Sequence, residues 1–365
     1  MKDWSICMLQ KGISAIKLAN RTINVMNILD HSLLSTNNKT NMQKLIMFVR
    51  HGPRYPSYII KDMDLIEHDI NNVPLTEKGI EYAFLFGRYL GHVYGKKITF
   101  KHNKTKIYTS DKIRTYQTAN QIYRGLFDEN ISCERFESSN LFIGKDFKNK
   151  MKARKDISIK SLFSENDLIF NTLLFKINSL FISKKRKLDQ TDENKNIFTG
   201  INTAHDLFEL YGTICYLEKE NKLYDKYIIT ENGNKLSWDE TDTIRLKLCV
   251  QQYMNFMLED KDIMKMMIND LISIIYNDQY INSNDDRYVN TENNTDLTHN
   301  NKNFVMVCIH DWQIYALAKY FVKDKKIKLP DYCLNVRLEL YNRRCYIYYD
   351  DILLADKDIY QVLNS

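Results

Sequence analysis

Two unbroken apolar runs stand out in the pattern of hydrophobic and polar positions along the chain. The first covers residues 45–49 and ends at Arg50; the second covers residues 303–309 and ends at His310. An apolar run of strand length without alternation is typical of a strand buried on both faces, as in the middle of a parallel sheet. We therefore predict a central strand at each run.

The apolar spacing between these runs is mostly that of helices. Thr76 is a good N-cap for a helix whose apolar face is Tyr82, Leu85, Phe86, Tyr89 and Leu90. Residues 106–109 predict a short strand, and Ser110 a cap for the helix after it. Further helices are predicted over residues 162–182, 203–220, 237–258 and 263–276, the third of them starting at a capping box, Ser237-Trp238-Asp239-Glu240.

The remaining pattern predicts a closing part of the same sheet. A helix is expected over residues 312–320, and residues 337–341 and 346–349 predict a hairpin or edge strands. We expect an α/β fold with a central, mainly parallel sheet flanked by helices and an inserted all-helical lid. Residues 1–43 would form an N-terminal extension, 44–135 with 303–365 the core, and 136–302 the helical insertion.

Composition and charge exclude several classes of protein. Apolar residues make up 44% and charged residues 27%, which argues against disorder as the main state. The net charge of +6, with 46 acidic residues interspersed among 52 basic ones, argues against a general nucleic-acid binder. The basic run at residues 184–187 is interpreted as a solvated loop rather than a nuclear signal.

The chain also lacks the patterns of a membrane span, a metal site or a disulfide framework. No apolar run reaches eighteen residues, so no membrane span is expected. The first ten residues lack the apolar core of a signal peptide, which favours an intracellular protein and leaves the secretory pathway open. Seven cysteines lie far apart without metal-ligand spacing, and their pairing stays open, as does the oligomeric state.

Candidate chemistry follows directly after the two apolar runs. In an open parallel sheet, ligands bind beyond the carboxyl ends of the strands. Arg50 and Arg54 carry planar, permanently charged groups suited to a phosphate, and His51 between them can be a neutral nucleophile. A helix start at Ser110 would place Arg114 in the first turn, next to the same strand ends.

These residues carry a resemblance to a known family. The sequence resembles the histidine acid phosphatases at Arg50-His51-Gly52-Pro53-Arg54-Tyr55-Pro56, Leu75-Thr76-Glu77-Lys78-Gly79, Ser110-Asp111-Lys112-Ile113-Arg114-Thr115, Ile309-His310-Asp311 and Leu329-Pro330-Asp331-Tyr332. The motifs occur in family order and cover roughly residues 44–135 and 303–350. The resemblance implies a phosphoglycerate-mutase-like core, with an insertion that covers the phosphate site and shapes substrate choice.

The resemblance also implies a mechanism without a metal or another cofactor. His51 would be the nucleophile that forms a phosphohistidine, and Asp311 would protonate the leaving oxygen of a small phosphomonoester. Arg50, Arg54, Arg114 and His310 would surround the phosphate. Asp311 must carry a proton when the substrate binds, so an acidic pH optimum is expected.

Three alternatives remain open at this point. The chain could be a catalytically silent protein that retains the phosphate-binding residues, or a phosphate-transferring mutase-type enzyme. It could also be a member of the family specific for phytate or a lipid phosphate. His310-Asp311, where some phytate-specific members have His-Ala-Glu, favours a general acid phosphatase.

Overall fold

A seven-stranded mixed sheet lies at the centre of the molecule. The computed structural model describes residues 42–57, 60, 72–127, 134–135, 145–163, 167–182, 200–224, 226–230, 232–279, 302–322, 327–341 and 344–358. The strands are β1 (Lys44–Arg50), β2 (Thr105–Thr109), β3 (Glu134–Arg135), β4 (Tyr227–Ile229), β5 (Lys235–Ser237), β6 (Phe304–Ile309), β7 (Asn335–Tyr341), β8 (Arg344–Tyr349) and β9 (Ile352–Asp358). The helices are α1 (Glu77–Tyr94), α2 (Ile113–Phe127), α3 (Lys145–Lys155), α4 (Ile159–Leu162), α5 (Leu168–Leu180), α6 (Ala204–Lys219), α7 (Glu240–Leu258), α8 (Lys261–Gln279) and α9 (Asp311–Phe321).

The two predicted central strands are neighbours in this sheet. Its strand order is β3-β2-β6-β1-β7-β8-β9, so β6 lies between β2 and β1. Strands β3, β2, β6 and β1 pair with one another in parallel. The pairs β1–β7, β7–β8 and β8–β9 are antiparallel. Every residue of β1 and β6 is buried, which explains the unbroken apolar runs at residues 45–49 and 304–309. The predicted fold class, a mainly parallel sheet flanked by helices, is confirmed.

Alternate residues of β1 pack against different helical layers, as the two-residue period of a strand requires. Leu45, Met47 and Val49 belong to an apolar cluster that contains α1 and α2 residues. Ile46 and Phe48 belong to a larger cluster that includes α9 and helices α5 to α8. The sheet and most of the described helices therefore share two continuous cores, one on each face of β1.

The segment between β3 and β6 is mainly helical, but it also contains the antiparallel hairpin of β4 and β5, which the pattern did not predict. The prediction that Ser237 caps the next helix was wrong. Ser237 ends β5, and Asp239 caps α7 in a reciprocal capping box with Asp242. The domain boundaries at residues 136–302 remain a prediction, and the extension up to residue 41 lies outside the described residues.

The carboxyl-terminal strands differ from the prediction in one respect. Strands β7 and β8 form the expected hairpin, but β7 also pairs with β1 and so is internal. The sheet ends beyond β8 in the edge strand β9, which the sequence pattern did not predict because Leu354 is its one buried side chain. No described helix combines the length and apolarity needed to cross a membrane.

Candidate active site

The carboxyl ends of β1 and β6 bring together the residues that follow them. The two strands run parallel in a register that pairs Arg50 with Ile309. The His51 backbone N–H continues the ladder by donating to the Ile309 carbonyl at 3.0 Å. His51 and His310 consequently meet, with ring centroids 5.6 Å apart. Parallel pairing thus joins residues that are far apart in the sequence.

His51 is held in one neutral form. Its side chain is buried, and Nδ1 lies 2.9 Å from the Gly52 carbonyl oxygen. A carbonyl only accepts, so Nδ1 carries the hydrogen and Nε2 presents a lone pair. Burial, and then the positive charge of Arg114, lowers the pKa of His51 well below its usual value. Burial and the neighbouring positive charges therefore favour the neutral imidazole.

Arg50 is held by contacts at both of its terminal nitrogens and against the face of its guanidinium. Its Nη1 donates to the Pro330 carbonyl at 2.7 Å, and its guanidinium lies 4.4 Å from the centre of the Tyr332 ring. Its Nη2 forms an ion pair with Asp311 Oδ2 at 2.9 Å. Burial alone would lower the pKa of Arg50, but the nearby Asp311 carboxylate raises it above the usual value. The contacts make Arg50 a preorganised cation.

Asp311 is the first residue of α9, directly after His310. Its Oδ1 accepts the Trp312 backbone N–H at 2.9 Å, while Oδ2 accepts from Arg50. Its side chain is 20% exposed, so it remains accessible from the site. The structure therefore presents this carboxylate at a helix start, paired with an arginine.

Arg54 belongs to the loop after β1, and its side chain extends to helix α6. Its Nη1 donates to the Tyr55 carbonyl at 2.8 Å and to Ser57 Oγ at 2.7 Å. Its Nη2 would lie 3.6 Å from a Cβ at Gly212, so the guanidinium rests against the bare backbone of α6. Helix α6 thus forms one wall beside this arginine.

Arg114 is the second residue of α2, as its predicted place in a first turn requires. Its Nη2 lies 3.4 Å from His310 Nδ1, and its buried Nε has no hydrogen-bond partner among the described residues. Burial, and then the charge of Arg54, lowers the pKa of Arg114 to about 10. A guanidinium that is destabilised in this way would be stabilised by a bound anion.

His310 bridges Arg114 and Ser110. A guanidinium only donates, so His310 Nδ1 accepts from Arg114 and Nε2 carries the hydrogen. That N–H donates to Ser110 Oγ at 3.0 Å. Burial, and then the charge of Arg114, lowers the pKa of His310 well below its usual value. Both ring nitrogens are therefore engaged within the protein.

The loop that carries His51 and Arg54 is held by hydrogen bonds from two helices. Thr118 Oγ1 on α2 accepts the Gly52 N–H at 2.9 Å. The Thr76 N–H donates to the Pro53 carbonyl at 3.0 Å, and Thr76 Oγ1 caps α1 by accepting from the Gly79 N–H. A Cβ at Gly79 would lie only 1.9 Å from the Pro53 oxygen. The predicted helix start at Thr76 is thus also a support for the loop.

All six predicted site residues come together, but the sequence did not reveal several of their partners. The roles of Ser110, Thr118, Pro330 and Tyr332 in holding them were missed, although all four lie in or beside the quoted motifs. Glu209 on α6 was missed altogether. It lay in a predicted helix at the spacing of ordinary surface residues, and no local signal showed which way that face turns. Among the described residues, no group of three or more His, Cys, Asp or Glu side chains could hold a metal ion.

Comparison with known proteins identifies the fold. No protein-family model matches the sequence, and no curated protein matches it. The structure is similar to the apo form of Hafnia alvei phytase, with 12% identity and a TM-score of 0.56 over 90% of this chain and 88% of that one. For the phytase of Klebsiella sp. ASR1 the identity is 14% and the TM-score 0.52, over 84% and 82% of the chains.

A third similar structure is the Bifidobacterium longum multiple inositol polyphosphate phosphatase in complex with inositol hexasulfate. It is 11% identical, with a TM-score of 0.55 over 89% of this chain and 90% of that one. Identities this low establish a shared fold only. The chain shares the fold of these structures, in agreement with the fold class predicted from the sequence, and the similarity extends through the helical middle that the motifs did not cover.

Proposed function

We propose that this protein is a phosphatase that hydrolyses small phosphomonoesters through a phosphohistidine on His51. The observation that carries the proposal is the bond from His51 Nδ1 to the Gly52 carbonyl, which leaves Nε2 as a free nucleophile among three arginines. Of these, Arg54 lies close enough to Arg114 for its positive charge to lower the pKa of Arg114. Cations crowded in this way favour an anionic ligand such as phosphate.

In the first step, the phosphate would bind against Arg50, Arg54 and Arg114. His51 Nε2 attacks phosphorus in line, so that a P–N bond forms while the ester P–O bond breaks. The arginines stabilise the charge on the equatorial oxygens, which is the main contribution a protein makes to phosphoryl transfer. Asp311 gives its proton to the leaving oxygen, which departs as an alcohol.

The ion pair between Arg50 and Asp311 suggests how Asp311 gains that proton. An incoming phosphate dianion competes for the same Arg50 Nη2, which is the carboxylate's cationic partner. Once that partner is shared with phosphate, the ionised carboxylate is disfavoured and takes up a proton. Substrate binding would therefore prepare Asp311 to act as the proton donor, and activity should be highest in acid.

In the second step, water attacks phosphorus and the P–N bond breaks. The electron pair returns to His51 Nε2, Asp311 accepts the proton from the water, and inorganic phosphate leaves. His310 would position Arg114 through Nδ1, and its Nε2–H would turn from Ser110 towards a phosphate oxygen. We also propose that residues 136–302 act as a separate helical lid, since α6 already forms the wall beside Arg54.

The test is phosphate release from 4-nitrophenyl phosphate across pH 4 to 8, for the native chain and for His51→Ala. We expect activity in acid that falls by at least about 10³-fold in His51→Ala, and a phosphorylated protein that can be trapped by rapid quenching of the native chain alone. The exposed His92 provides a matched control, since His92→Ala should keep full activity. Phytate belongs in the substrate panel because similar structures are phytases. A lipid phosphate is included because the sequence left that substrate class open. Folded native protein that binds phosphate but turns over none of the panel would instead indicate a silent phosphate-binding protein.

A further inference from the structure

Glu209 is a carboxyl group at the site that the proposed chemistry does not use. It lies on α6 three residues before Gly212, so both residues share the helix face on which the Arg54 guanidinium rests. Its carboxyl is close enough to Arg54, Asp311 and Arg114 for their charges to influence its pKa. No ion pair joins Glu209 to any of these three residues within the described part of the chain. Helix α6 therefore carries Glu209 on the face that lies against the phosphate-binding residues.

A short row of polar contacts leads from α7 to Glu209. Tyr253 Oη lies 3.3 Å from His205 Nδ1, and His205 Nε2 lies 3.5 Å from Glu209 Oε1. Burial lowers the pKa of His205 to about 4, so the ring is neutral, and Nε2–H can donate to Glu209 when Nδ1 accepts from tyrosine. This arrangement places the neutral His205 ring beside one oxygen of Glu209.

Aromatic packing fixes this row of contacts relative to Asp311. Phe208 directly precedes Glu209 in the sequence. The centroid of its ring lies 4.8 Å from that of the Trp312 ring. Tyr253 packs edge-on against the same Trp312 at 5.6 Å. Because Trp312 directly follows Asp311, the two carboxyl groups are held in a defined relation on opposite elements, α6 and α9.

Burial raises the pKa of Glu209, while the charges of Arg54 and Lys155 oppose the shift. The surroundings of Glu209 thus combine influences that favour the acid with others that favour the carboxylate. A hydroxyl group matches both forms, since it accepts from a carboxylic acid and donates to a carboxylate. A second phosphate matches the acid alone, and a hydrocarbon matches neither form.

We propose that Glu209 is a specificity-determining residue that hydrogen-bonds a free hydroxyl on the alcohol portion of the substrate, next to the phosphate ester. The inference rests on the proposed function and narrows its substrate class to phosphomonoesters of polyhydroxy alcohols. The arginines bind the phosphate of any monoester, so selection falls to a polar group that faces the alcohol. A site built to bond a hydroxyl rejects an analogue that lacks it, because its own polar group is left unpaired.

The experiment is calorimetric binding in a His51→Ala background, which removes turnover and keeps the arginines. The probes are glycerol 1-phosphate, propyl phosphate, which has the same carbon chain without hydroxyls, and inorganic phosphate. We expect glycerol 1-phosphate to bind about 10-fold more tightly than propyl phosphate. Adding Glu209→Gln, whose amide also donates and accepts, should keep this preference within about 3-fold. Adding Glu209→Leu, of similar size, should abolish it.

The outcomes separate this inference from the proposed function. Equal binding of the two esters in His51→Ala overturns the inference without any substitution at position 209. An undiminished preference in Glu209→Leu overturns it as well. Inorganic phosphate should bind to His51→Ala both with and without the substitution at Glu209, which would show that the phosphate site is intact. If inorganic phosphate did not bind to the His51→Ala protein, the result would count against the phosphate site itself.

Discussion

Substitution of Gly79 by alanine should disturb the loop that carries the proposed nucleophile. Gly79 is the third residue of α1, and a Cβ there would lie 1.9 Å from the Pro53 carbonyl oxygen. Real Cβ atoms essentially never approach another heavy atom within 3.0 Å, so helix and loop must separate by at least 1.1 Å, the difference between the two distances. The next residue after Pro53 is Arg54, and the movement should reach its guanidinium.

The size of the effect can be worked out from the contacts. Overpacking of this kind costs about 1–3 kcal/mol, and loss of the Thr76 N–H bond to Pro53 costs about 0.5–1.5 kcal/mol. The better helix propensity of alanine returns up to about 1 kcal/mol. The expected net loss in the free energy of unfolding is therefore about 2 kcal/mol.

Gly91, on the same helix, provides the matched control. A Cβ there would lie 3.3 Å from Leu126 Cδ1, the end of a side chain that can adjust. We expect Gly91→Ala to lie between neutral and about 1 kcal/mol more stable, by helix propensity. Urea unfolding of both variants measures the difference, and 4-nitrophenyl phosphate measures activity. A displacement of about 1 Å at Arg54 should lower kcat/KM by up to about 100-fold in Gly79→Ala alone.

Two results would refute this reasoning. If Gly79→Ala were as stable and as active as the native chain, the close approach of α1 to the loop would not constrain either. If Gly91→Ala lost as much stability as Gly79→Ala, the loss would come from α1 itself and not from the contact with Pro53.

Three further predictions concern charge and protons at the site. Asp311→Asn should slow phenyl phosphate by about 10²–10⁴-fold and 4-nitrophenyl phosphate much less, since 4-nitrophenolate leaves without a proton; equal losses would exclude Asp311 as the donor. Arg114→Gln should raise the pKa of His51, measured by NMR titration of its ring, because a charge that lowers it is removed; an unchanged titration would contradict this. The pKa of His205 is about 4 in the folded protein and 6.5 in the unfolded chain. Between these two pH values the unfolded chain binds a proton that the folded protein does not bind. The free energy of unfolding therefore falls as the pH is lowered from 6.5 towards 4. Urea unfolding measures this loss. Over the same pH range the free energy of unfolding of His205→Gln should fall by about 3 kcal/mol less than that of the native chain, at about 1.4 kcal/mol for each pKa unit. The control His92→Gln should lose as much as the native chain does.

The sequence was sufficient for those parts of the site that are local to one strand end. An apolar run followed by Arg50-His51 predicts a buried strand, which the structure contains, and candidate chemistry at its end, which stays a prediction; the same holds for β6 and His310. The prediction that these two strand ends meet needed a sheet topology, which the motif order supplied by resemblance. The ion pair between Arg50 and Asp311, separated by 261 positions, follows from that topology.

Other features depend on packing that no local pattern encodes. Glu209 faces the site because α6 rests against Arg54 through Gly212, and this orientation is set by tertiary contacts. The start of α7 was misplaced because Ser237-x-x-Glu240 and Asp239-x-x-Asp242 both fit a capping box, and pairing of β5 with β4 takes Ser237 into a strand. The edge strand β9 escaped notice since an exposed edge buries too few side chains to leave an apolar pattern.

The central position of β6 also bears on how the chain matures during synthesis. Strand β1 is made early, yet its partners β6 and β7 follow only from residues 304 and 335 onwards. At roughly 5–20 residues per second, the apolar β1 waits roughly 10–50 s for β6 to be translated. Throughout that interval an aggregation-prone segment lacks both of its neighbours. A ribosome-bound chain arrested before residue 304 should therefore recruit chaperones, whereas release of the complete chain lets the sheet close and the active site form in the same event.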